Sequence, residues 1–191
     1  MRWLYGVTSE PLAELLVGAT GRPLTSHAHG GLRLFFETCA QPPEATRHNV
    51  LAYGRVLLRL CADGRALPFQ FGIAVPEEAD LDRLLTTRAR EWAQRLGEVQ
   101  GCSELIAHLD ADATPSSAAT SLACQLARVA RDVRVLPEQM GRVRVACLVS
   151  SLKLATFRES FDAWRDSNPA NAAWLTGPWP PLSFTSEPSP R

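Results

Sequence analysis

Leu32-Arg33-Leu34-Phe35-Phe36-Glu37 sets apolar Leu32, Leu34 and Phe36 against charged Arg33 and Glu37, the period of a strand with one buried and one wet face. The Gly30-Gly31 pair before it suits a tight hairpin to a weaker strand near residues 24–27. Trp3 to Val7 is apolar, aromatic and β-branched and stops at Thr8-Ser9-Glu10-Pro11, which predicts a short first strand; residues 12–17 fit one helical turn. From Glu44 the period becomes helical. Val50, Leu51, Gly54, Leu57, Leu58 and Cys61 recur as an apolar stripe, Arg55 and Arg59 lie on another face and Gly64 can cap the end, predicting a helix over 44–62. Residues 67–73 read as a strand with Pro68 near its start and Phe69 and Phe71 on one face. Pro76-Glu77-Glu78 is a helix entry, with carboxylates at the positive dipole end, and Leu81, Leu84, Leu85, Trp92 and Leu96 form the buried stripe of the helix that Gly101 ends.

Residues 103–109 read as the strand completing a first domain, and Asp110 to Thr114 as a small, polar linker in which Thr114-Pro115 caps the next helix. That helix is marked by Ala119, Leu122, Leu126, Val129 and Val133, followed by a half-buried strand in which Val143, Val145, Cys147 and Val149 alternate with Arg142 and Arg144. Phe157, Phe161 and Trp164 return to helical spacing, and short strands at 172–175 and 182–184 flank a proline-rich block. The expected fold class is α+β in two lobes, with domains at 1–112 and 113–185 and a loose tail at 186–191.

At 191 residues with 46% hydrophobic and 21% charged residues, the chain can bury one sizeable core or two small ones and has no disorder signature. Twenty basic residues balance twenty acidic ones, so no global field attracts nucleic acid or an anionic membrane. No apolar run approaches the ~20 residues of a membrane span, and the N-terminus has no charged-then-apolar signal. Cys39, Cys61, Cys102, Cys124 and Cys147 lack close spacing, excluding a sequence-legible zinc or CxxC site; Cys61, Cys124 and Cys147 fall on apolar faces, and the set reads as reduced, mostly buried thiols in a cytoplasm.

Reactive constellations are not legible. Gly30-Gly31 lacks the spacing of a phosphate loop, and Lys153, the only lysine, lies far from any glycine loop. His27 and His29 can share one strand face, but no third metal ligand accompanies them. Ser116-Ser117 and Ser150-Ser151 sit in no nucleophile elbow, and Asp110 and Asp112 lack the glycine and distal glutamate of a calcium loop. No catalytic, cofactor-binding or metal-ligating residue is therefore assigned.

The most distinctive stretch is Leu175-Thr176-Gly177-Pro178-Trp179-Pro180-Pro181-Leu182-Ser183-Phe184, where three prolines fix the backbone around one tryptophan. It resembles the C-terminal signature of the gas vesicle protein GvpL/GvpF family. Ala66-Leu67-Pro68-Phe69-Gln70-Phe71-Gly72 resembles a block in that family's first half, Trp3-Leu4-Tyr5-Gly6-Val7 its first strand, and His48 a histidine at the start of its first long helix. Leu182 stands where the family usually has tyrosine and Gln70 where arginine is common, and the second half is short. The resemblance implies a modified ferredoxin-like N-terminal domain and a smaller α+β C-terminal domain. It implies a non-catalytic accessory protein of cytoplasmic gas vesicles that binds the hydrophobic shell protein, other accessory proteins or both during assembly. Trp179, Leu182 and Phe184 are then the candidate partner-binding residues, with closure of its own domain's core as the other role open to Trp179. The alternative is a fold-sharing small enzyme or ligand-binding sensor, using His27 and His29 or a cleft near His48.

Overall fold

The computed structural model describes residues 1–12, 15–110 and 116–185. They divide into two compact units, one holding residues 1–100 and 180–185, the other Gly101–Trp179.

The first unit is built on an antiparallel sheet of order β2-β3-β1-β4, with β5 also paired to β1. Its strands are β1 (Arg2–Thr8), β2 (Thr25–His29), β3 (Leu32–Thr38), β4 (Ala66–Pro68) and β5 (Ala74–Val75), and its helices are α1 (Arg47–Leu60) and α2 (Glu78–Val99). Thr46 caps α1 by accepting from Asn49 N at 3.2 Å, and Asp80 in the first turn of α2 accepts from Glu77 N. Trp3, Tyr5 and Phe35 pack against Tyr53, Val56, Leu57 and Leu60 of α1. Alternation sends Leu4, Leu34 and Phe36 to the opposite face, where they too are buried, and the helix touching β1, β2, β3 and β4 on that account is α2, through buried Leu81, Leu85, Trp92 and Leu96.

The expected strand over 67–73 is interrupted. β4 ends at Pro68, Phe69 N still donates to Tyr5 O at 2.8 Å, and Gly72, at φ 91°, turns the chain so that β5 re-pairs with Arg2 and Trp3. Phe69 and Phe71 consequently separate: Phe71 packs edge-on against Trp3 and Tyr53, while Phe69 meets Trp92 at 5.3 Å. Of the stripe expected to bury α1, Leu57 and Cys61 are buried but Val50, Leu51 and Leu58 are exposed, and Tyr53, Val56 and Leu60 complete the buried face. This helix carries apolar residues on two faces, so periodicity alone drew part of the stripe on the outer one.

The second unit runs β6 (Cys102–Asp110), α3 (Ser116–Leu126), β7 (Asp132–Gln139), β8 (Arg142–Ser150), α4 (Leu154–Ser167) and β9 (Ala173–Trp179). Its antiparallel sheet has the order β7-β8-β6-β9. A β-α-β-β-α-β run in this strand order is the ferredoxin-like arrangement. Residues 103–109 do not complete the first unit: β6 pairs with β8 and β9 at the centre of the second sheet. Leu105, Ala107, Leu109, Val145, Cys147 and Val149 face Leu122, Leu126, Phe157, Phe161 and Trp164 of α3 and α4.

Two further elements differ from expectation. The helical stripe drawn through Val133 stops at Leu126, and Asp132-Val133-Arg134-Val135 alternates with period two as the start of β7, joined to β8 by Met140 and Gly141 at φ 54° and 68°. Leu182–Phe184 is a 3-10 turn, in which Phe184 N donates to Pro181 O at 3.0 Å, because Pro180 and Pro181 have no N–H for a ladder. The helical turn expected over 12–17 lies in part outside the described residues, and there Val17 bridges Pro23. The linker and Thr114-Pro115 cap beyond Asp110, and the tail, also lie outside them.

Candidate functional site

Successive cross-strand partners on the face of the second sheet away from α3 and α4 form a row, Leu136, Arg144, His108 and Trp174. The imidazole of His108 stacks on the Trp174 indole with centroids 5.1 Å apart and planes 4° from parallel, and the Arg142 guanidinium lies 5.2 Å from the same ring. His108 Nε2 meets Thr176 Oγ1 at 3.0 Å, and the indole N–H of Trp179 donates to the same oxygen at 3.2 Å. Burial, reinforced by the Arg142 and Arg144 guanidiniums, holds His108 below the ordinary histidine pKa. His108 Nδ1 and Arg144 Nε are buried without a hydrogen-bond partner. Sequence reasoning missed this constellation. Its legible signal was the alternation of 103–109, which places His108 with Glu104 and Ile106 on the face that Arg142 and Arg144 share.

Trp179 ends β9 opposite Glu104, after a register shift between Glu104 and Ile106. Gly177 makes that shift possible: it sits at φ 114°, and a Cβ there would come within 2.7 Å of Glu104 O. The peptide bond between Gly177 and Pro178 is cis. The Trp179 side chain is 43% exposed, whereas Leu182 packs against the aromatic cluster of the first unit and Phe184 is 2% exposed. Of the three candidate partner-binding residues only Trp179 presents substantial surface. Phe184 is packed away from solvent.

In the first unit, His27 and His29 tie β2 to α2. His27 Nε2 lies 2.8 Å from Asp82 Oδ1, and His29 Nδ1 lies 3.6 Å from the same oxygen, with Nε2 3.3 Å from Thr86 Oγ1. The His27 hydrogen bond lowers the Asp82 carboxyl below its usual range. Among the described residues no three His, Cys, Asp or Glu side chains are grouped as metal ligands. A cleft of about 300 Å³ is lined by Thr8, Glu10, Gly30, Gly31, Arg65 and Leu96 among others, and none of His27, His29 or His48 contributes to it. His48 is exposed in the first turn of α1. Four cysteines are buried, with Cys147 pushed up to about 12 by desolvation, but Cys124, expected on an apolar face, is exposed. No described helix is long and apolar enough to cross a membrane.

The two α+β units place the fold among solved gas vesicle proteins. GvpF from Anabaena sp. PCC7120 matches with a TM-score of 0.83 at 17% identity, over 98% of this chain and 96% of that one. GvpF from Microcystis aeruginosa matches with a TM-score of 0.81 at 15% identity, over 97% of this chain and 99% of that one. No curated protein sequence matches. The family described as gas vesicle synthesis protein GvpL/GvpF matches residues 1–117 and 107–186, and the chain belongs to that family.

Proposed function

We propose that this protein is a non-catalytic accessory component of gas vesicle assembly, working in the cytoplasm and at the vesicle by binding the hydrophobic shell protein, other accessory proteins or both. The observation that carries this reading is the family match over both units, residues 1–117 and 107–186. The physical logic is that a shell protein able to exclude water from a gas space exposes apolar surface before it is assembled, and a domain with apolar docking sites delays aggregation or seeds ordered addition. Exposed Trp179 is the residue proposed for contact from the C-terminal block.

Deletion of the gene in a gas-vesicle-forming host without a paralogue tests this. Shell protein continues to be made, while vesicles are absent, fewer or misshapen. Normal vesicle number and shape would remove the assembly role.

A further inference from the structure

The exposed side of α1 combines two properties that a helix already anchored in a fold does not need for its own packing. Leu51 and Leu58 are 52% and 43% exposed, seven residues apart, and Gly54 lies between them at the i+3 position. A Cβ built on Gly54 would meet nothing within 4 Å. The result is a notch between two leucine ridges, with Val50, 44% exposed, on its border. An i, i+3, i+7 seam with a small residue at its centre is the relief into which a second helix inserts a large side chain.

Charge selects the kind of helix. The sequence of α1, Arg47 to Leu60, contains Arg47, Arg55, Arg59 and His48 and no carboxylate. Arg47 and Arg55 are exposed beside the apolar seam. A second copy of the same surface would bring arginine against arginine, so self-association through α1 is disfavoured. A lipid surface would use the arginines and leucines but would gain nothing from the notch. Among the other exposed large apolar side chains, Met140 and Leu152 stand on a hairpin tip and a 3-10 turn and form no such seam.

We infer that the exposed face of α1 is a docking site for an acidic amphipathic α-helix of a partner protein, with an apolar side chain of that helix seated over Gly54 and its carboxylates on Arg47 and Arg55. The leucine seam spans about 10 Å at 1.5 Å per residue, two turns, and Arg47 extends the face to about 16 Å, enough for three turns of a partner. The inference concerns this surface alone and does not rest on the assembly role, because its test uses a synthetic partner.

The probe is a synthetic acetylated helix of about six turns, with leucines along one face and glutamates flanking them, and its lysine-for-glutamate twin serves as control. Both are titrated into the full chain by calorimetry and by backbone amide NMR. The acidic peptide binds with shifts concentrated in α1, and the lysine twin binds at least about tenfold more weakly. Leu51→Glu with Leu58→Glu, or Gly54→Leu alone, abolishes binding while the remaining amide spectrum shows an intact fold. Arg47→Glu with Arg55→Glu inverts the preference between the peptides. Equal binding of both peptides, shifts outside α1 or no binding at millimolar peptide would overturn the inference. Binding to phosphatidylglycerol vesicles that the acidic peptide cannot compete away would replace the partner helix by a lipid surface.

Discussion

The phenol of Tyr5 donates a 2.8 Å hydrogen bond to Oε2 of Glu37, a carboxylate with no exposed surface in the middle of the first sheet. Glu37 also accepts from the Thr20 and Arg22 backbone N–H groups and from the Thr20 hydroxyl, and the Tyr5 oxygen accepts from Ala19 N. One buried charge thus fixes the loop from Gly18 to Arg22, where a Cβ on Gly18 would collide with the carboxylate. Glu37→Ala leaves these donors unpaired and lowers stability by roughly 2–3 kcal/mol, whereas Glu37→Gln, which keeps one carbonyl oxygen, costs less. Chemical denaturation of the two variants checks the order. Equal losses would show that the charge, and not the acceptor geometry, holds the loop.

Trp92 is 4% exposed and packs on Phe69, so Trp92→Ala destabilises by about 3–5 kcal/mol. Reversing exposed Arg55 to glutamate leaves the denaturation midpoint nearly unchanged. A Trp92→Ala midpoint equal to the parent would show that this face of α2 contributes nothing to the core.

Glycines separate into opposite classes. Gly97 in α2 has open space where a Cβ would go, so Gly97→Ala raises stability by about 0.5–1 kcal/mol through helix propensity. Gly177→Ala is destabilising by more than that, because its φ of 114° and the approach of Glu104 O both oppose a side chain. Thermal melts of the pair move in opposite directions.

The depressed pKa of His108 has a defined pH signature. Native His108 resists protonation more than the unfolded chain, whose histidine titrates near 6.5, so unfolding takes up a proton at acidic pH. Its contribution is complete above about pH 6.5 and is lost as pH falls from there toward the native value. The effect of Asp82, whose carboxyl is lowered from 3.8, is present above that pH and is lost only as pH falls through its native value. His108→Phe keeps an aromatic ring against Trp174 and flattens the stability profile below pH 6.5; an unchanged slope would assign the titration to another group.

Trp179→Ala removes one side-chain hydrogen bond and a half-exposed ring, so circular dichroism and melting temperature change little. Co-purification with the shell protein is lost if Trp179 docks it. Retained co-purification would leave Trp179 with a role in β9 alone.

Strong local patterns made most elements legible. The alternation of β3, the capped entry of α2 and the aromatic spacing of α4 each followed from one period and one start signal. The α1 seam was misread in part because apolar residues on two faces give periodicity two equally good solutions, and only tertiary burial chooses Tyr53 over Leu51. β7 was hidden by Val129 and Val133, whose spacing extends the α3 stripe although the chain changes period at Asp132. Assigning β6 to the first domain followed from its position in the chain, since its alternation carries no mark of which partners it will take. His108, Trp174 and Arg142 converge through strand register across distant residues, and no local pattern encodes that.

Because the first unit takes residues 1–100 from one end of the chain and 180–185 from the other, its completion is ordered in time. A ribosome delivers β1 through α2 early, yet Leu182 reaches the aromatic cluster only after the whole of β6 to β9 has emerged. The second unit is therefore an insertion that must fold, or at least clear the exit tunnel, before the earlier one is sealed. A nascent chain that has emerged only as far as Trp179 leaves the aromatic cluster without Leu182, an apolar surface open to non-native contacts until that residue arrives.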